Sequence, residues 1–118
     1  IKSDNVSIML MTQPSLYKEN MSNDELSVLW IGKTFCYTKK SFFKREYPSA
    51  KSLRIAMRAF NDITRKTALL EKVIFLDLDS KIEKNLNNFI DDIHYTEGGA
   101  KKVAELVANK VIQVTNYE

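Results

Sequence analysis

The chain has one histidine, preceded at two and three residues by carboxylates, in the run Asp91-Asp92-Ile93-His94-Tyr95-Thr96-Glu97-Gly98-Gly99. Histidine side chains titrate near neutrality, so an imidazole can accept and return a proton at physiological pH. A carboxylate three residues upstream can turn back onto Nδ1. That contact selects the tautomer, stabilises the imidazolium and leaves Nε2 for the proton of a nucleophile. Asp91 has this spacing, and Asp92 is the other candidate. The spacing leaves a plainer reading open: a surface histidine beside acidic residues at a helix N-terminus.

Such a pair works only on a rigid support. Val6 to Thr12 (VSIMLMT) is almost continuously apolar and stops at Gln13-Pro14, which predicts a strand buried on both faces. Met21 to Gly32 reads as a helix opened by a Ser22/Glu25 capping box, with Met21 and Leu26 as its staple and Gly32 as its stop. Lys33 to Tyr47 is aromatic, basic and mostly loop, with a short strand conceivable at Thr34–Thr38. Ser49 to Leu70 is the clearest helix, with Leu53, Ala56, Met57, Phe60, Ile63, Thr67 and Leu70 sharing one face. Val73 to Leu78 (VIFLDL) predicts a second buried strand, and Asp79 to Ile90 a polar, irregular link with room for one or two helical turns. Thr96 caps a final helix whose apolar positions are Val103, Leu106, Val107 and Val111.

At 118 residues the chain is expected to form part or all of one domain, residues 1–118. Its 44% apolar and 28% charged residues are ordinary for a globular protein. The net charge of +3 is spread out, apart from Lys39, Lys40, Lys44 and Arg45. That run reads as a solvated loop, and no nucleic-acid partner is expected. The single cysteine, Cys36, rules out an internal disulfide. No apolar run approaches the ~20 residues of a membrane span. The chain opens on Ile1 without a Met, so its natural N-terminus is expected upstream, and the compartment cannot be read. Two strands buried on both faces cannot cover their own edges. The chain is therefore expected to be a piece of a larger α/β domain.

Asp91-x-x-His94, followed by Thr96, Gly99 and a helix with Ala100, Val103, Ala104 and Val107, resembles the last conserved block of the SGNH (GDSL-type) hydrolases. The upstream order is similar too: a strand ending near a proline (MLMTQP), a long helix with an Asn (Asn61 in AFND), and a strand ending in Asp (Asp77 in VIFLDL). The resemblance covers most of the chain except Gly32–Tyr47. It implies a three-layer α/β/α flavodoxin-like parallel sheet, of which this chain is the C-terminal half. It also implies a serine ester hydrolase with His94 as general base, Asp91 as its orienting acid and no cofactor. The family's nucleophile block (Gly-Asp-Ser), its Gly and its Gly-x-Asn-Asp block are absent here. The partner implied is the N-terminal portion of the same hydrolase, and the substrate a small-molecule or carbohydrate ester.

Several other residues imitate chemistry. Ser80, in Asp79-Ser80, resembles the nucleophile block but has Leu78 in place of the glycine and stands in the wrong order. Asn61-Asp62 resembles the oxyanion block, yet sits inside a helix, where Asn61 is expected to make structural hydrogen bonds. VIFLDLDS resembles the first motif of haloacid-dehalogenase-like phosphatases, with Asp77 as nucleophile, Asp79 as acid/base and Mg²⁺ as cofactor, but no later motif of that class follows. A metal site from Asp77, Asp79, Asp91, Asp92 and His94 matches no established spacing. Trp30, Phe35, Phe42 and Phe43 are candidates for an apolar substrate pocket, or for local core under a loop. A non-catalytic interaction module is the alternative from outside enzymology.

Overall fold

The computed structural model describes residues 6–31 and 48–116. In chain order the elements are β1 (Met9–Met11), α1 (Asn23–Ser27), α2 (Ala50–Glu71), β2 (Ile74–Leu76), α3 (Leu78–Lys81) and α4 (Glu97–Thr115). The strands pair in parallel, Met9 with Ile74, Leu10 with Phe75 and Met11 with Leu76. The Ile74 N–H to Ile8 and the Thr12 N–H to Leu76 extend the ladder by one bond at each end. A parallel pair needs a crossover, and α2 supplies it.

Local chemistry accounts for the helix ends. Ser22 accepts from the Glu25 N–H while Glu25 Oε2 accepts from the Ser22 N–H, a complete capping box for α1. The predicted extension of α1 to Gly32 does not form within the described residues. The N–H groups of Trp30 and Ile31, which a longer helix would spend on carbonyls four residues back, go instead to the Asp92 carboxylate. Ser49 caps α2 through the Ser52 N–H at 3.1 Å. That helix ends on Lys72 in the left-handed conformation, φ 50°. Thr96 caps α4 through the Gly99 N–H at 3.0 Å.

The expected three-layer flavodoxin-like sheet is corrected by this structure. Two short strands form a single parallel pair, accompanied by four helices among the described residues, giving a small, mostly helical fold. Burial gives the physical reason. Leu76 is the single fully buried strand residue, so the sheet is not sandwiched between helix layers. The core gathers instead on connecting segments, around Leu16, Tyr17, Leu29, Ile82 and Phe89. Each such burial contributes roughly 1.5–3 kcal/mol. The predicted apolar face of α2 is also only partly used. Leu53 and Met57 pack on the core, whereas Phe60, Ile63 and Leu70 are 60%, 65% and 79% exposed. The residues of α2 that turn fully inward are Asn61 and Ala68. No helix among the described residues is long and apolar enough to cross a membrane.

Candidate functional site

His94 sits on a loop closed at its stem. Phe89 and Tyr95 form an isolated antiparallel bridge, their rings 5.3 Å apart. The Ile90 N–H donates to the His94 carbonyl, and the Thr96 N–H to the Asn88 carbonyl, both at 3.0 Å. The fully buried Asn88 side chain braces the stem from below, donating to the Glu83 carbonyl and accepting from Lys102 Nζ. α4 starts directly against this stem. A Cβ on Gly99 would lie 2.1 Å from the Asn88 carbonyl oxygen, so glycine permits the approach.

Within the loop, Asp91 Oδ2 lies 2.8 Å from His94 Nδ1. Asp91 Oδ1 accepts from the backbone N–H groups of His94 at 2.9 Å and Ile93 at 3.0 Å. Burial pushes the Asp91 carboxyl up. The His94 and Ile93 N–H groups, with the His94 ring, outweigh that and hold it below the usual carboxylate range. The carboxylate therefore stays ionised beside a ring whose side chain is 58% exposed. No described residue hydrogen-bonds Nε2.

Asp92, the second candidate orienter, points the other way. Its carboxylate is fully buried and accepts from Tyr17 Oη at 2.6 Å, from the Ile31 N–H at 2.8 Å and from the Trp30 N–H. Burial, then this hydrogen bond, pushes the Tyr17 phenol well up. Trp30 thus has its backbone tied to the His94 loop, while the residue as a whole is 53% exposed. Phe35, Phe42 and Phe43, the rest of the predicted apolar pocket, lie outside the described residues, as does the basic run at 39–45.

The imitations separate from the histidine. The Ser80 hydroxyl donates to the Asp77 carbonyl at 3.0 Å, within its own helical turn, rather than to His94. Asn61 grips Gln13, accepting its N–H at 2.8 Å and donating to its carbonyl at 2.9 Å, a structural role. Asp77 is held bidentately by Arg65, at 3.0 and 3.1 Å, and accepts from Thr12 Oγ1 at 2.7 Å. Burial raises its pKa, but Arg65 and Thr12 bring it below the usual range. Asp79 pairs with Lys84 and stands 3.8 Å from Arg65. No three His, Cys, Asp or Glu side chains converge as a metal site among the described residues.

A groove of about 540 Å³ opens at the carboxyl ends of the two strands, between Ser15 and Tyr17 on one side and α2 on the other. Most of its cations face its own anions: Arg65 on Asp62 and Asp77, Lys84 on Asp79, and Arg54 on Glu19. His94 is not part of its wall.

Tyr17, Asn88 and Thr12 were not picked out from sequence. Each is a polar or aromatic residue in a short connecting stretch whose partner is 65 or more residues away or across a turn. No family model, characterised protein or solved structure matches the chain.

Proposed function

We propose that the chain carries the acid–base pair of an SGNH-type serine ester hydrolase, with the serine presented by another stretch of polypeptide, the N-terminal portion of the same hydrolase. The observation that carries this reading is the 2.8 Å contact from Asp91 to Nδ1 of a half-exposed imidazole whose other nitrogen is unused among the described residues. It does not depend on the number of strands in the sheet.

In this reading Nε2 takes the serine proton as the oxygen attacks the ester carbonyl. The imidazolium then returns that proton to the departing alkoxide, leaving an acyl-enzyme. Water repeats the cycle: Nε2 removes its proton, the hydroxide attacks, and the serine leaves reprotonated. Asp91, held ionised, keeps the Nδ1 proton in place throughout. The family resemblance puts the oxyanion donors on the serine-bearing portion, and the substrate is a carboxylic ester, either a small molecule or an acylated carbohydrate. The phosphatase alternative has less support, because the Asp77 oxygens are already occupied by Arg65 and Thr12.

A binding role without catalysis is the second reading. The exposed flank of α2 at Phe60, Ile63, Leu69 and Leu70 favours it. Labelling of the complete protein with a fluorophosphonate separates the two. Labelling of a serine that disappears in His94→Ala supports the hydrolase; absence of any labelled serine in the folded protein supports the binding module.

A further inference from the structure

We propose that Asp92 is a positioning residue for the Asp91–His94 pair, an inference that rests on the acid–base reading of that pair. The bonds between Asp91 and His94 are all internal to their loop: Asp91 to the Ile93 and His94 N–H groups, and Asp91 to the ring. A loop bonded only to itself is free to turn as a unit about its stem. Asp92 ties it to the body at four points. Its carbonyl accepts from the Leu16 N–H at 2.9 Å. Its carboxylate takes Tyr17 Oη on one oxygen and the Trp30 and Ile31 N–H groups on the other. One residue thereby joins the stretch after β1, the stretch after α1 and the histidine loop.

The carboxylate is fully buried, and its hydrogen-bond partners among the described residues are a phenol and two amides, with no cation. An ionised carboxylate in such a place is costly unless donors surround it. Both oxygens are therefore needed as acceptors. An asparagine has the same shape but only one acceptor oxygen, so it cannot receive the Tyr17 hydroxyl and both amides at the same two positions. Losing one anchor at position 92 releases the backbone between Asp91 and His94. The ring then samples orientations in which Asp91 no longer accepts the Nδ1 proton.

The lone imidazole makes this measurable without a substrate. The ¹⁵N shifts of His94 in the labelled 118-residue chain report its tautomer, which the partner of Nδ1 selects. Wild type is expected to be mainly Nδ1–H. In Asp92→Asn, with amide dispersion still that of a folded chain, Nε2–H is expected to become the major form. A folded Asp92→Asn with the wild-type tautomer ratio overturns the proposal and leaves Asp92 a purely structural acid. Should Asp92→Asn fail to fold, Tyr17→Phe, which removes one donor and leaves the Asp92 side chain itself unaltered, decides: a partial rise in Nε2–H supports the proposal, and an unchanged ratio overturns it. Wild type that is itself mainly Nε2–H, and indifferent to Asp91→Asn, removes the acid–base reading and this proposal together.

Discussion

Substituting two neighbouring glycines by alanine should move stability in opposite directions. At Gly99 an added Cβ meets backbone alone: Asn88 O at 2.1 Å, C at 2.9 Å and Cα at 3.0 Å. An ordinary carbon–oxygen contact is about 3.3 Å, so α4 and the Asn88 peptide must separate by roughly 1 Å. That Asn88 carbonyl also accepts the Thr96 N–H, so the separation strains the helix cap and the loop stem together. Overpacking of this kind costs about 1–3 kcal/mol, and a contact that no side chain can relieve belongs at the upper end. The helix preference of alanine over glycine returns at most about 1 kcal/mol, giving a net loss of about 2 kcal/mol for Gly99→Ala. At Gly98 the same Cβ meets Asn87 O at 3.7 Å and Thr96 Oγ1 at 3.8 Å, both ordinary contacts. Neither glycine has positive φ, so the backbone conformation itself accepts alanine at both positions and only the contacts of the added Cβ differ. Gly98→Ala should therefore gain up to about 1 kcal/mol. Urea unfolding followed by circular dichroism gives both values. Equal midpoints for the two variants, or a stabilised Gly99→Ala, would refute the close approach of α4 to the loop stem.

In the complete protein, His94→Ala should lower turnover of an activated ester by about 10³-fold or more. Asp91→Asn should lose more than Asp92→Asn, and steady-state kinetics showing the reverse order would mean that the wrong carboxylate holds the ring. The Asp77 and Asp91 carboxyls are both held below their unfolded values, and so is Glu25, chiefly through its bond from Lys18. A depressed folded pKa contributes stability that is present above the unfolded value, near 4, and lost as pH falls through the folded one. Urea midpoints should thus drop below about pH 4, and Asp77→Asn should flatten that acid limb; an unchanged limb would count against the Arg65–Asp77 pairing. Lys72→Gly should raise the thermal midpoint, since a left-handed Cβ residue costs about 1 kcal/mol; a lower midpoint would contradict the C-cap geometry.

Legibility followed range. The Ser22/Glu25 box, the Thr96 cap, and the runs MLM and IFL depend on residues a few positions apart, and the sequence pattern located them. The Asp91–His94 contact was legible for the same reason: its two residues stand three positions apart. The buried contacts of Asp92 were not legible because its partners, Tyr17, Trp30 and Ile31, lie 61 to 75 residues away. The α2 stripe shows the opposite failure. Periodicity marks which residues share a face, not whether anything lies against it, and Phe60, Ile63 and Leu70 share a face that is largely open. The layered sheet was what the resemblance implied; the strands themselves were read as long and apolar enough to be buried on both sides, but only three residues of each enter the ladder.

The Asn61 grip on Gln13 bears on how the small sheet ends. Ile8 and Thr12 bond towards β2, so by alternation Gln13 presents its N–H and carbonyl to the opposite side. An incoming strand would dock there, and both groups are already satisfied by one side-chain amide that imitates a peptide. The helix thus guards the outer margin of the sheet at its last rung, closing that position to edge-to-edge association.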